Sequence, residues 1–176
     1  FSIHRCLGDG SLHLLIKIVG KGSQLLAELT PGATIDLLGP LGKGFVREPQ
    51  LPAVLVGGGV GIAPLLFLVE RNRLDTPNST APAVFLGAQT AADIQQLADE
   101  FRQLGCPVTV ATDDGSLGHH GLVTAPLQKV LHQFAKAYVC GPTPMMAATA
   151  ALCQAAGIAC EVSLEAHMAC GLGACL

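Results

Sequence analysis

From residue 53 onward, short apolar runs alternate with longer segments, and this rhythm continues to residue 162. The short runs predict buried strands, and the longer segments between them predict helices. Strands separated by single helices imply right-handed βαβ crossovers, and therefore one doubly wound parallel sheet. The predicted strands are residues 53–56, 83–86, 107–111, 137–140 and 158–162, and the predicted helices are residues 64–73, 92–104, 126–133 and 144–156.

Residues 1–44 follow a different pattern, in which stretches rich in Leu and Ile are separated by tight glycine and proline turns. This pattern predicts β-hairpins with one short helix capped by Ser23. Because so few strands cannot close a barrel by themselves, we expect only part of a β-barrel here. The predicted elements are a strand at residues 11–19, a helix at residues 24–29, a strand at residues 34–38 and a compact loop at residues 39–44.

The sequence divides into three predicted units. Its rhythm changes between Pro49 and Pro52, and its last residues contain closely spaced cysteines. Position 1 is Phe rather than Met and no signal peptide precedes it, so we expect further residues of the barrel upstream. The predicted units are a β-barrel lacking its N-terminal part at residues 1–48, an α/β domain at residues 49–160 and a cysteine-containing segment at residues 161–176.

Composition argues against two classes of function. The net charge of −3 provides no basic surface for nucleic acid. Residues 51–69 and 137–160 contain no Lys, Arg, Asp or Glu and are long enough to cross a bilayer, but glycines and prolines interrupt both. Each fits a buried strand, a glycine turn and a helix, so we expect no membrane span. Seven cysteines without a secretory signal favour a reducing compartment and predict a cytoplasmic protein.

Four clusters of small and polar residues follow predicted strands, and doubly wound sheets bind their ligands at that edge. In the first cluster, glycines between a buried strand and a helix let backbone N–H groups approach a diphosphate beside the helix N-terminus. This cluster fits neither the usual dinucleotide fingerprint nor a P-loop, and a tight turn without a ligand is the alternative. Its glycines are Gly57, Gly58, Gly59 and Gly61, and the other clusters are residues 87–89, 112–116 and 140–142.

Candidate nucleotide contacts follow the later strands. Asp113 and Asp114 can accept hydrogen bonds from the ribose hydroxyls of an adenine nucleotide. Their charge would repel a 2′-phosphate, which favours NAD over NADP, and a solvated Asp-Asp-Gly turn is the alternative. Cys140, which precedes Gly141 and Pro142, is either a site residue or a small buried apolar residue.

The last residues contain a candidate metal-binding pair. Cys170 and Cys175 are separated by four residues, two of them glycine, which matches the first half of the C-x4-C-x2-C…C spacing of plant-type [2Fe–2S] proteins. Glycine lets such a loop wrap closely around inorganic sulfide. The other two ligands would follow Leu176, and a pair unrelated to metal is the alternative. His119 and His120 could also suggest a metal site, but adjacent histidines in a glycine-flanked loop are more simply explained as a solvated turn.

Several motifs together resemble the ferredoxin-NADP reductase superfamily. Residues 57–64 and 140–146 match its pyridine-nucleotide half. Residues 163–165 and 168–175 narrow the resemblance to the electron-transfer subunits of dihydroorotate dehydrogenase B. Residues 1–4 resemble the end of that family's Arg-Pro-x-Ser flavin motif. The resemblance runs over essentially the whole chain, and the cysteine motif is its most discriminating part.

The resemblance implies three cofactors, which are FAD, NAD and a [2Fe–2S] cluster. FAD would lie on the barrel, and a Gly-Ser step opening a short helix is also an anion site by its physics. The cluster would take Cys170, Cys175 and two later thiolates. NAD would bind at the glycines of residues 57–61, at Asp113 and Asp114 and at Gly141 and Pro142, with Cys140 near the nicotinamide. The implied FAD contacts are Phe1, Ser2, Leu15, Ile16, Lys17, Gly22 and Ser23.

The resemblance also implies a partner and a path for electrons. Electrons would pass from the FMN of a separate dihydroorotate dehydrogenase catalytic subunit to the cluster, to FAD and, as hydride, to NAD, within pyrimidine biosynthesis. Two subunits of each kind would form a heterotetramer. The Arg-Pro of the flavin motif is absent, and Ile16, Ser23 and His167 differ from the family's common residues. A subunit linking NAD(P)H to ferredoxin or sulfide, and a regulatory nucleotide-binding module, are the alternatives.

Overall fold

The structure, a computed structural model, describes residues 1–164 and begins with a β-hairpin. Strands β1 (Ile3–Cys6) and β2 (Leu12–Leu14) pair antiparallel, and the short helix α1 (Lys21–Ala27) follows. The prediction of longer strands is wrong, because β2 covers three residues of the range 11–19 and residues 34–38 form no strand. No described strand pairs with residues 34–38, so an apolar pattern without a neighbouring strand forms no sheet there.

The predicted cap of α1 is also wrong. The helix begins at Lys21 with Gly20 as its N-cap, and Ser23 is the third residue of the helix. The Ser23 hydroxyl oxygen accepts hydrogen bonds from the backbone N–H groups of Val19 (2.9 Å) and Gly20 (3.2 Å), and the hydroxyl donates to the Gly20 carbonyl (3.0 Å). The Ser23 side chain therefore supplies hydrogen bonds to the backbone groups just before the helix. Serine is favoured for such local side-chain to backbone hydrogen bonds, as it is at the N-cap position.

The strands after residue 52 form a six-stranded parallel sheet. Its elements are β3 (Ala53–Gly58), α2 (Ile62–Asp75), β4 (Ala83–Ala88), α3 (Ala91–Gln103), β5 (Val108–Thr112), β6 (His119–His120), α4 (Thr124–Val130), β7 (Lys136–Cys140), α5 (Thr143–Ala156) and β8 (Ala159–Val162). The strand order is β6-β5-β4-β3-β7-β8, and every pairing is parallel. This order confirms the predicted doubly wound sheet.

Apolar side chains cover both faces of the sheet. On one face, Leu55 and Leu86 pack in a cluster with residues of α2 and α3. On the other face, Val56 and Val139 pack with residues of α4 and α5. A sheet buried on both faces needs strands that are apolar at consecutive positions, and this is why the sequence pattern predicts them.

Two local features differ from the prediction. His119 and His120 form the short edge strand β6, paired with β5, rather than a solvated turn. The helix predicted at residues 126–133 instead spans Thr124–Val130 and is followed by a 3₁₀ turn, Leu131–Gln133. The two uncharged stretches form β3 with α2 and β7 with α5, as predicted. Across residues 1–164, no helix combines the length and the apolar character that a membrane span requires.

The N-terminal segment exposes much apolar surface. Val19 is 82% exposed, Val46 66% and Leu37 65%. Between residues 7 and 44, all of which the structure describes, Ser23 is the one buried residue. This segment therefore has little core of its own among the described residues.

Candidate functional site

Glycines near the carboxyl end of β3 bring segments of backbone together. A Cβ atom on Gly61 would lie 2.5 Å from the Gly141 nitrogen and 2.6 Å from the Cys140 carbonyl carbon, closer than non-bonded atoms approach. A Cβ atom on Gly57 would lie 2.9 Å from Cδ1 of Leu65. The turn between β3 and α2 therefore packs directly against the loop after β7, and only glycine allows this contact.

Gly59 presents its backbone to open space. Its φ is +55°, in the left-handed region that glycine tolerates, and a Cβ atom there would meet no atom within 4 Å. Gly59 opens the 3₁₀ turn Gly59–Gly61, from which the fourteen-residue helix α2 begins. Backbone N–H groups in the first turn of a helix lack intrahelical partners, and the helix dipole favours an anion beside them.

A cavity of ≈ 590 Å³ lies at this edge of the sheet. It joins the glycine turn at the end of β3, residues 87–89 at the end of β4, Asp113 after β5 and Pro142 after β7. Its remaining wall includes residues 15–17 of the N-terminal segment. The cavity therefore brings together all four clusters that follow predicted strands, and its volume is in the range of cofactor sites.

The structure places the predicted contacts in two groups. Those that line the cavity are Leu15, Ile16, Lys17, Gly58, Gly59, Asp113 and Pro142. Those within residues 1–164 that do not line it are Phe1, Ser2, Gly22, Ser23, Gly57, Gly61, Asp114, Cys140 and Gly141. The predicted metal ligands Cys170 and Cys175 lie outside the described residues. Within residues 1–164, no group of three or more His, Cys, Asp or Glu side chains is arranged to hold a metal ion.

The adjacent aspartates have different surroundings. The Asp114 carboxylate accepts hydrogen bonds from the Ser116 hydroxyl (2.6 Å) and the Ser116 N–H group (2.9 Å), which lower the pKa of this carboxyl group. Asp113 instead lines the cavity. The backbone N–H groups of both aspartates donate to carbonyls of Ala88 and Gln89, at 3.0 and 3.2 Å, which fixes this loop against the end of β4. Of the two aspartates, only Asp113 lines the cavity.

Cys140 lies behind the glycine turn. It is 3% exposed and belongs to the apolar cluster that contains Ile62 and Leu65 of α2. Its backbone is opposite Gly57 in the pairing of β7 with β3. In this arrangement Cys140 supports the turn, and its carbonyl carbon is one of the atoms that exclude a side chain at position 61.

Part of the cavity is absent from the sequence prediction. Residues 121–124, which follow β6, form one wall, and Val60 and Met145 also line it. Val123 lies close to the sheet, since a Cβ atom on Gly87 would be 3.3 Å from it. A predicted strand just before residue 121 would have indicated this wall. The strand that precedes it, β6, has two residues and is too short to produce an apolar pattern.

A smaller cavity of ≈ 270 Å³ lies at the opposite edge of the sheet. Its lining includes Leu51 and Ala53 at the start of β3, Pro82 before β4 and Gly105 after α3. None of the predicted site residues lines it. Of these two cavities, the one at the carboxyl edge is therefore the one that predicted site residues line.

Two thiols on the other face of the sheet interact with each other. Cys153 of α5 is fully buried, and Cys160 of β8 is partly exposed. A hydrogen bond from the Cys153 thiol lowers the pKa of Cys160 to about 7, and the same contact raises the pKa of Cys153. Cys160 is therefore expected to be the more reactive thiol of the two, because the thiolate is the nucleophile.

We expect iodoacetamide to alkylate Cys160 with a pH midpoint near 7, measured by peptide mass spectrometry. In Cys153→Ala the midpoint should rise toward about 8.5, the ordinary value of a cysteine thiol. Cys153→Ser keeps a hydroxyl donor and should preserve much of the lowered value. An identical pH profile in the alanine variant and the unchanged protein would contradict this assignment.

A doubly wound parallel sheet with a glycine turn and a cavity at its carboxyl edge defines a nucleotide-binding α/β domain. A family model described as "Oxidoreductase NAD-binding domain" matches residues 55–151. The chain belongs to this family of oxidoreductase NAD-binding domains. The match covers the strands β4, β5, β6 and β7, most of β3, and the helices α2, α3 and α4.

Related proteins extend the similarity over nearly the whole chain. It is 40% identical over 171 residues to "Dihydroorotate dehydrogenase B (NAD(+)), electron transfer subunit" of Desulforamulus reducens, covering 95% of this chain and 63% of that protein. It is also 40% identical over 170 residues to the protein of the same name from Geobacillus kaustophilus, again covering 95% of this chain and 63% of the relative. The chain thus spans somewhat less than two thirds of these relatives. They confirm the resemblance predicted from the motifs.

Solved structures show the same architecture. A structure of an NADH-dependent reduced ferredoxin-NADP oxidoreductase has 33% sequence identity and a TM-score of 0.76, covering 91% of this chain and 57% of that one. The ferredoxin reductase of carbazole 1,9a-dioxygenase has 21% identity and a TM-score of 0.67, covering 92% and 54%, and supports the fold alone.

Proposed function

We propose that this chain is part of an electron-transfer subunit that carries electrons from a dihydroorotate-oxidising partner to NAD+ in pyrimidine biosynthesis. The observation that carries the proposal is the cavity at the carboxyl edge, which residues 15–17 line together with Gly58 and Gly59. A wall from the predicted flavin segment and a glycine turn from the NAD-binding domain share one space. The named relatives, at 40% identity, support the choice of this subunit.

The residues of the cavity fit NAD. Gly59 lets its backbone approach a diphosphate without a side chain, next to the N-terminus of α2. Asp113 lines the cavity, where its carboxylate would accept hydrogen bonds from ribose hydroxyls and its charge would disfavour a 2′-phosphate. Pro142 and Met145 supply apolar surface for a ring. These residues would bind and orient the dinucleotide, and NAD itself supplies the hydride-accepting ring.

FAD and the [2Fe–2S] cluster belong to the same proposal. Residues 15–17 would contact FAD, with Phe1, Ser2, Gly22 and Ser23 as further contacts on a flavin-binding barrel. Cys170 and Cys175 would supply two of the four cluster thiolates. The proposed units are residues 1–48 for FAD, 49–160 for NAD and 161–176 for the start of the cluster segment. FAD, when bound, supplies chemistry that links one-electron carriers to hydride transfer.

The proposed partner is an FMN-containing dihydroorotate dehydrogenase catalytic subunit, with two subunits of each kind in a cytoplasmic complex. No residue of this chain is proposed to oxidise dihydroorotate. The test uses the complete gene product, purified and examined by visible spectroscopy. Flavin and iron–sulfur bands, followed by dihydroorotate-dependent reduction of NAD+ after the partner is added, are expected. A colourless protein that stays so after reconstitution with FAD, iron and sulfide would refute the proposal.

A ferredoxin-linked oxidoreductase subunit is the second candidate function. The observation that favours it is the 33% identity to the NADH-dependent reduced ferredoxin-NADP oxidoreductase over 91% of the chain. The two candidates use the same flavin and nucleotide contacts and differ in the electron donor. Reduction of NAD+ by reduced ferredoxin, without response to dihydroorotate and the catalytic subunit, would select this second function.

A further inference from the structure

Glu100 of α3 ties the first strand to the NAD-binding domain. One oxygen of its carboxylate, Oε2, accepts hydrogen bonds from His4 Nε2 at 2.9 Å and from Arg5 Nη2 at 2.8 Å and Nε at 3.1 Å. Arg5 Nη1 also pairs with Glu70 of α2 at 3.0 Å. All four side chains are mostly shielded from water, so salt screens their attraction less than it screens a surface pair.

A second set of contacts holds the other end of the N-terminal segment. The Tyr138 hydroxyl donates to the Val46 carbonyl (3.0 Å) and accepts from the Glu48 N–H group (3.1 Å). The Glu161 carboxylate accepts from the Val46 N–H group at 2.8 Å. The ammonium group of Lys136 donates to the Val46 carbonyl at 3.1 Å and forms ion pairs with the carboxylates of Glu48 and Glu161. Residues 46–48 are therefore fixed to β7 and β8.

Residues 15–17 lie between these two attachments and form a wall of the cavity. Among the described residues, packing does little to hold them in place, because Ser23 is the one buried residue between positions 7 and 44. The distance from this wall to the glycine turn after β3 therefore depends on how β1 and residues 46–48 are attached to the NAD-binding domain, and β1 is attached both by packing against α2 and by the contacts of Glu100. Of the two sets, the Glu100 contacts are the closer in sequence to the wall.

We propose that Glu100 is a positioning residue, which acts through His4 and Arg5 to set the separation between the flavin-contacting wall and the nucleotide-binding turn. The inference rests on the proposed function. The step affected would be hydride transfer between bound flavin and NAD; in its reverse direction, which is the one measured below, a C–H bond of NADH would break, and the hydrogen would pass with its electron pair to the oxidised flavin, which also takes a proton from water, leaving NAD+. A change of separation alters the rate of this transfer, because a misplacement of about 1 Å can lower such a rate by about a hundredfold.

The test compares Glu100→Gln with Asp99→Asn in the complete, FAD-loaded protein. Asp99 is the neighbouring residue on α3, is half exposed and, among residues 1–164, forms an ion pair only with Arg102 on its own helix. In anaerobic stopped-flow reduction by NADH, Glu100→Gln should lower the limiting rate roughly tenfold while the Kd for NADH stays within about twofold. Asp99→Asn should change neither. In the FAD-free protein, hydrogen–deuterium exchange of β1 should accelerate in Glu100→Gln alone.

Other outcomes have distinct meanings. A limiting rate within about twofold of the unchanged protein, despite faster exchange of β1, would overturn the positioning role. Equal losses of limiting rate, NADH affinity and FAD content would show that Glu100 has only a structural role, and would also overturn the positioning role. If Glu100→Gln does not fold, Glu70→Gln is the substitute, because it removes the ion pair between Arg5 and Glu70. It should give a smaller fall in the limiting rate of flavin reduction. An unchanged limiting rate would overturn the positioning role. Failure of NADH to reduce the flavin of the unchanged protein would refute the proposed function instead.

Discussion

Gly61→Ala is expected to destabilise the protein by about 3 kcal/mol, at the upper end of the usual range for overpacking. The new methyl group would meet backbone atoms of Cys140 and Gly141 at 2.5–2.6 Å, and backbone cannot rotate aside as a side chain can. The β3–α2 turn and the loop after β7 would have to separate. Both border the cavity, so affinity for NADH should fall together with stability.

Thermal unfolding followed by circular dichroism measures this effect. A loss of about 3 kcal/mol corresponds to a fall in Tm of roughly 6–12 °C for a chain of this size. Gly22→Ala is the matched control in the FAD-free protein, where the proposed FAD contact of Gly22 plays no part, because a Cβ atom there meets nothing within 4 Å. It should leave the Tm unchanged or slightly raised, since alanine favours the helix in which Gly22 lies. Equal Tm values for the two variants would show that the turn relaxes freely.

Asp113→Asn is expected to weaken NADH binding about tenfold or more, because it removes charged hydrogen bonds worth roughly 1.5–3 kcal/mol each. NADPH binding should weaken less, since the carboxylate that repels the 2′-phosphate is also removed. The preference for NADH over NADPH should therefore decrease. Titration of the complete protein with each nucleotide, followed by fluorescence, gives both Kd values.

Asp114→Asn is the control for this prediction. The Asp114 carboxylate is already engaged by the Ser116 hydroxyl and N–H group within its own turn. Its substitution should leave both Kd values within about twofold, because Asp114 is exposed and does not line the cavity. A larger effect of Asp114→Asn than of Asp113→Asn would reverse the assignment of the ribose contact.

The NAD-binding domain could be predicted from the sequence because its strands are buried on both faces. Residues 53–56 and 137–140 read as uninterrupted apolar runs, and the structure places them side by side as β3 and β7. Residues 34–38 contain three apolar residues as well as Asp36, but no described strand pairs with them. An apolar pattern therefore forms a strand only where a neighbouring strand is available to pair with it. The residues of that neighbouring strand lie elsewhere in the sequence, so the local pattern does not reveal whether it is present.

The site could be predicted only in outline. Strand ends located the glycine turn and Asp113 at one edge, because parallel strands all end there. Pattern alone could not separate Asp113 from Asp114, since their difference depends on which carboxylate Ser116 engages. The ion pairs of Glu100 join residues that are 95 and 96 positions apart, and no local spacing indicates them.

The bare side chains of Val19, Leu37 and Val46 have a practical consequence. A polypeptide made of these 176 residues alone would expose hydrophobic surface through which its copies could associate. Such material should become turbid as it is concentrated, whatever the integrity of its sheet. Biochemical work is therefore best begun with the intact gene product.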